Sequence, residues 1–223
     1  MQGPLQQRRR LGVARGGRLV GEEDFGGGVL ADMACHYMDL AHWALDLTTP
    51  LRVSAAGQKL SKDNDDEVPD VLQADFRYPA RGSRPEVHLT WFNGVPGPDL
   101  NATQAFHGYR DGVLFEGDKG QLVADYTNHK LLPEAQYQGF VPPKPSIPAS
   151  VGHHKEWLEA IRHGGTTTCN FAYSGALAET VLLGNVAFHA GQEIVWDDKA
   201  DKVANVPRAN RFLGREYRKG WDL

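Results

Sequence analysis

Two cysteines in 223 residues, Cys35 and Cys169, form no Cys-x-x-Cys pair. Neither a zinc ribbon nor a disulfide scaffold is therefore expected, and reducing surroundings are the simplest setting. Long apolar runs are missing too. None reaches the roughly 18 residues of a membrane span, and Met1 is followed by glutamines and arginines rather than the apolar core of a signal peptide. The expectation is a cytoplasmic chain with no membrane partner. No Gly-x-Gly-x-x-Gly follows a strand and opens a helix, and no Walker loop occurs, so no cofactor-binding residues are expected on this chain. Neither Gly-x-Ser-x-Gly nor a cysteine signature points to a covalent nucleophile. Acidic residues are absent from the first 20 positions, which hold Arg8, Arg9, Arg10, Arg15 and Arg18. Since the whole chain carries −4, the remainder carries −9. That acidic body speaks against a nucleic-acid partner. Residues 1–24 read as a disordered, basic lead-in, or as a start codon set inside a longer reading frame.

What is present is one domain's worth of patterned sequence. From Val29 to Leu47 apolar residues recur with helical period: at 100° per residue, Leu30, Met33, Tyr37, Leu40, Ala41 and Ala44 share one side. Asp32, His36, Asp39, Trp43 and Asp46 line the other, and Thr48-Thr49-Pro50 ends the helix. Short β-branched and aromatic runs follow at 51–56, 71–78, 86–92, 103–108, 113–116 and 121–126, separated by turn residues. Such connections are too short for parallel crossovers, so an antiparallel meander is expected. After the proline-rich connector 142–148 come a helix capped near Ser150 and a nearly all-apolar helix over 174–190. A short edge strand at 194–197 and a last helix opened by Pro207 complete the chain. Helices before and after such strands make an α+β domain: an open, mainly antiparallel sheet with helices on one face and the other face free for a ligand or a second copy.

Asp32 and His36 stand four residues apart, so both side chains lie on one helix face, where a carboxylate can orient an imidazole as a general base. A solvated helix face accounts for the same spacing. His36, Asp39 and His42, with His153 and His154, have metal-ligand chemistry. His42, however, lies about 120° from His36 around the helix, and no metal site is expected. The acid run Asp63, Asp65, Asp66, Glu67 lacks the central glycine and closing glutamate of a calcium loop. Trp91, Asn93, His107 and Tyr109 fall in or beside strands; on a free sheet face they would suit a sugar, whose C–H faces stack on rings while its hydroxyls need amide and imidazole partners. Packing against the helices or against a second subunit is the competing reading.

The segment Gly26-Gly27-Gly28-Val29-Leu30-Ala31-Asp32-Met33-Ala34-Cys35-His36-Tyr37-Met38-Asp39 resembles the opening of the substrate domain of the glucose-fructose oxidoreductase and inositol dehydrogenase family (Gfo/Idh/MocA). Later stretches resemble its further landmarks in order: Val113 to Gly120, His154 to Arg162, Leu183-Gly184-Asn185-Val186-Ala187 and Trp196-Asp197. The ending Glu216-Tyr217-Arg218-Lys219-Gly220-Trp221 is similar to a bacterial branch with many carbohydrate-acting members. The resemblance implies that residues 25–223 are a C-terminal substrate-binding domain. It implies an NAD(P)-dependent oxidoreductase of a sugar or cyclitol, with His36 and Asp32 next to the reacting hydroxyl and Asp39 in the same motif. NAD or NADP would then be held by a Rossmann domain that is separate or missing. Homo-oligomerisation through the free sheet face is expected from the open sheet itself. The family's Glu-Lys-Pro lysine has no counterpart, since Pro143-Lys144-Pro145 lies in a late linker. A non-catalytic carbohydrate-binding or oligomerisation module is the alternative.

Overall fold

The computed structural model describes residues 26–58, 69–94, 111–214 and 217–221. The basic arm, the acid run, the strand expected at 103–108, and with it His107 and Tyr109, lie outside the described residues.

Helix α1 is Gly28–Leu45. Its start is held by Asn185, whose Nδ2 donates to Gly27 O at 2.9 Å; a Cβ at Gly27 would collide with that amide. Its end comes two residues before the expected Leu47. Asp46 turns into the left-handed region at φ 49°. Its carboxylate takes Arg81 at 2.6 Å and Arg84 at 2.9 Å, and Arg84 also donates to Leu45 O at 2.7 Å. Two cations on the last carbonyls satisfy the terminus and oppose the negative end of the helix dipole.

Strands β1 (Arg52–Gln58), β2 (Val71–Tyr78) and β3 (Val87–Asn93) pair antiparallel in sequence order. Next come β4 (Val113–Gly117), β5 (Gly120–Ala124) and β6 (His129–Leu132), which form a separate three-stranded antiparallel sheet among the described residues. After α2 (His153–His163) and α3 (Phe171–Ala190), strand β7 (Ile194–Asp197) returns beside β1. Strand β8 (Lys202–Val203) pairs on its far side. The larger sheet therefore runs β3-β2-β1-β7-β8. So β7 is interior rather than the edge strand the sequence suggested, because the two-residue β8 covers it. The last helix is a 3-10 turn over Pro207–Phe212.

Period-two alternation in β2 decides which face is buried: Leu72, Ala74, Phe76 and Tyr78 point to the core. Helices α1 and α3 pack there, with Leu30, Ala34, Met38, Leu177, Val181 and Ala187 in one cluster with those strands. The opposite face carries no helix among the described residues. The α+β class with helices on one face of an open antiparallel sheet is thus the observed one.

Helix α3 opens on Asn170, whose Oδ1 accepts from Ala172 N at 3.0 Å and Tyr173 N at 3.2 Å, and closes on Gly191 at φ 66°. It is long and apolar enough to cross a membrane by length and composition, against the expectation that no segment qualifies. Here eight of its residues are buried in the core, while Phe171 and Leu182 stay exposed. Gly184 permits the close approach: a Cβ there would stand 2.6 Å from Leu30 Cδ2 and 3.1 Å from Phe76 Cζ, both fully packed. Gly184→Ala is therefore expected to lower stability by about 1–3 kcal/mol through overpacking, measured by urea unfolding. An unchanged midpoint would show that the layers can separate without cost.

Helix α2 is inside-out. It has no buried residue; Trp157 and Ile161 are 61% and 63% exposed, with Leu158 between them on the same face. What ties it to the body is polar: Glu156 accepts from Thr168 N at 2.6 Å and from Thr168 Oγ1 at 3.1 Å. The expected cap, Ser150, instead accepts from Gly152 N, and Gly152, two residues later at φ 90°, takes the cap position.

Candidate functional site

Because Leu30, Ala34, Met38 and Ala41 face the core, the opposite side of α1 is delivered to the surface. Asp32 and His36 lie there, both exposed, with no hydrogen bond between their side chains among the described residues. Val29 and Trp43 on the same helix are also partly exposed, as is Met33, which the periodicity had placed on the apolar side. A surface imidazole one turn from a carboxylate can accept a proton from a bound hydroxyl once a ligand excludes water.

Asp39 continues the stripe half-buried. Tyr173, in the first turn of α3, donates its hydroxyl to Asp39 Oδ1 at 2.5 Å and lies 3.4 Å from Asp39 O. Burial first, then the hydrogen bond to Asp39 and its charge, pushes the Tyr173 phenol well above its ordinary ionisation range. Nothing in the sequence links positions 39 and 173; the packing of α1 on α3 does. Cys35, also on this helix, donates to Asp32 O at 3.4 Å, and burial followed by the Asp32 charge pushes its thiol up, away from nucleophilic thiolate chemistry.

Trp91 and Asn93 do not join this stripe. In register, Trp91 opposes Ala74 and Asn93 opposes Leu72, so both lie on the helix-covered face rather than the free one. Trp91 is buried, and its Nε1 donates to Asn93 Oδ1 at 2.8 Å, while Asn93 Nδ2 reaches Asp70 O at 3.4 Å. Their polar groups are thus largely spent on protein partners. A cleft of about 980 Å³ opens beside Trp91 between α1, β3 and the smaller sheet, with Tyr37, Phe115, Leu122 and Tyr137 among its walls; Asp32 and His36 are outside it.

His42 is a core residue. It is buried, with Nε2 2.8 Å from the Tyr78 hydroxyl. Burial pushes its pKa down to about 4 against a smaller opposing effect of Asp39. Among the described residues no three His, Cys, Asp or Glu are placed to hold a metal. No parallel strand pair or glycine-rich strand-to-helix turn occurs among them, so they offer no fit for a dinucleotide.

The open sheet face holds a polar group that the sequence reading missed. Asp75 Oδ1 accepts from Thr90 Oγ1 at 2.7 Å and pairs with His88 Nε2 at 2.8 Å, and Asp75 Oδ2 accepts from Gln73 Nε2 at 3.0 Å. Burial raises the Asp75 pKa, but these three hydrogen bonds outweigh it and hold the carboxyl below its ordinary value. The alternation Gln73, Asp75 and His88, Thr90 was visible as period two; which face it occupied was not.

Compared with known proteins, residues 5–123, just over half of the chain, match the model described as the GFO/IDH/MocA C-terminal domain. No curated protein matches the sequence. Among solved structures, yvaA from Bacillus subtilis, described as an oxidoreductase, aligns at 15% identity with a TM-score of 0.37, over 76% of this chain and 52% of that one. The chain thus spans about half the length of that protein.

Proposed function

We propose, from the premise that this chain belongs to the GFO/IDH/MocA family through its C-terminal domain, that it is the substrate-side half of an NAD(P)-dependent oxidoreductase acting on a sugar or cyclitol hydroxyl. The observation that carries this reading is the exposed face of α1, where Asp32, His36 and Asp39 follow one another along a single helix. Oxidising an alcohol carbon requires the hydroxyl proton to leave as hydride departs, and His36 is the group suited to hold that proton. Asp32 would orient the imidazole when a ligand displaces water. Asp39, half-buried and fixed, supplies an acceptor for a second hydroxyl.

The cofactor belongs in this reading to a separate Rossmann subunit or domain. The partly exposed Val29, Met33 and Trp43 on the same helix as His36 give such a partner an apolar rim to cover. The free sheet face, with Arg52 and Arg77 beside Asp75, is the proposed homo-oligomer contact. A cytoplasmic setting and the absence of nucleic-acid and membrane partners complete the proposal. A second reading, a non-catalytic carbohydrate-binding or oligomerisation module, is favoured by the lack of a dinucleotide site among the described residues.

Calorimetry on the purified chain separates the two. With myo-inositol and D-glucose as probes, at least one is expected to bind, and His36→Ala should weaken it by up to about tenfold, the upper range for one hydrogen bond. NAD(P)H should not bind. Tight one-to-one binding of NAD(P)H would refute the assignment of the cofactor to another domain, and polyol binding untouched by His36→Ala would favour the non-catalytic module.

A further inference from the structure

We propose that Tyr173 is a positioning residue: by holding Oδ1 of Asp39, it aims the other carboxylate oxygen at a hydroxyl of the bound polyol and so sets hydroxyl-pattern selectivity. This inference rests on the reading of the α1 stripe as the polyol site.

The geometry of the contact comes first. Tyr173 Oη to Asp39 Oδ1 is 2.5 Å, within the range of a hydroxyl donating to a carboxylate. Among the described residues the side-chain hydrogen bonds to Asp39 reach its Oδ1 and backbone O, not Oδ2. A carboxylate clamped at one oxygen cannot spin freely, so its remaining lone pairs keep one direction.

The chain that leads into the donor is itself tied at three points. Asn170 Oδ1 takes the Tyr173 N–H, Asn170 Nδ2 donates to Thr167 O at 3.1 Å, and Glu156 of α2 clamps Thr168. The first turn of α3 is therefore a fixed platform for the phenol. With its ionisation pushed up by burial and by Asp39, the phenol stays a donor throughout the working pH range.

Placement relative to His36 gives the clamp its use. Asp39 is three residues further along the helix, so their Cβ atoms stand about 5–6 Å apart. A molecule with one hydroxyl at the imidazole can set a second hydroxyl against Asp39 Oδ2. An ionised carboxylate only accepts, so a compound lacking that hydroxyl leaves a partly desolvated charge unpaired, which is the strong form of polar discrimination.

The test compares myo-inositol and D-glucose with their monodeoxy analogues on the whole chain, by calorimetry or saturation-transfer NMR. For whichever parent binds, wild type should prefer it to its poorest deoxy analogue by at least about tenfold. Tyr173→Phe, which removes only the hydroxyl, should bring that ratio close to one. Asp39→Asn, which converts the free oxygen into a donor, should do the same and serves in its place if Tyr173→Phe does not fold. A merely structural Tyr173 would weaken parent and analogue alike, leaving the ratio unchanged, and that outcome overturns the proposal. If wild type binds neither parent, the polyol reading itself falls and takes this inference with it; if wild type discriminates and Tyr173→Phe discriminates equally, only this inference falls.

Discussion

Phe76→Ala is expected to lower the unfolding free energy by about 3–5 kcal/mol, the range for a large aromatic removed from a core that cannot collapse. Phe76 has no exposed surface and sits on the covered face of β2, opposite Val53 on β1 and Leu89 on β3. Above it passes α3 at Gly184, where even one added carbon would meet the ring at 3.1 Å. Sheet on one side and a helix backbone on the other leave little freedom to fill the void. Urea unfolding followed by circular dichroism measures the loss, and a change below about 1 kcal/mol would show that the layers can close over the gap. Since Gly184 borders the same space, adding Gly184→Ala to Phe76→Ala should cost less than Gly184→Ala alone; that coupling is the signature of a shared cavity. The effect reaches the surface chemistry as well, because the seating of α3 on β2 determines whether Tyr173 meets Asp39.

Acid should unfold the protein early through His42. Its folded pKa, about 4, lies below the ordinary 6.5 because burial disfavours the charged ring. Between those two values the unfolded chain binds a proton that the folded chain does not. The stabilisation is therefore complete above about pH 6.5 and is lost as pH falls toward 4, at up to about 1.4 kcal/mol per pH unit and roughly 3 kcal/mol in total. His42→Gln can still hydrogen-bond to Tyr78 but does not titrate. Comparing urea midpoints of both proteins at pH 7, 5.5 and 4.5 isolates this residue from the other eight histidines. Parallel losses in the two proteins would mean that the imidazole is not the titrating group.

The same residue shows where sequence reasoning stops. The 100° step separated His42 from His36 on the helix and so argued against a shared metal. It could not reveal that His42 faces Tyr78, 36 positions away, because only the packing of α1 on β2 creates that pocket. The order Asp32, His36, Asp39 was legible, since periodicity decides which side of an amphipathic helix is polar, but the partial burial of Asp39 under Tyr173 was not. The end of α1 was not, as Arg81 and Arg84 arrive from the turn between β2 and β3. Period two showed that Trp91 and Asn93 share a face, yet the register against Ala74 and Leu72 chose the covered one. Strand β6, His129–Leu132, lacks β-branched residues and is made a strand by pairing with β5.

The inverted burial of α2 has an energetic consequence. Eleven residues are too few for a stable isolated helix in water. Among the described residues α2 buries no side chain and rests on its own backbone ladder, on Glu159 paired with Arg162 and His163, and on the Glu156 to Thr168 clamp. Its opening equilibrium is consequently separate from global unfolding, at the low end of the free-energy ladder that amide exchange resolves. Any surface that covers Trp157, Leu158 and Ile161 must supply the free energy that keeps those turns wound. Recognition at this helix is thereby linked to its folding, and, because Glu156 also steadies the loop leading to Asn170 and Tyr173, local melting of α2 would be communicated to Asp39 without any displacement of the core.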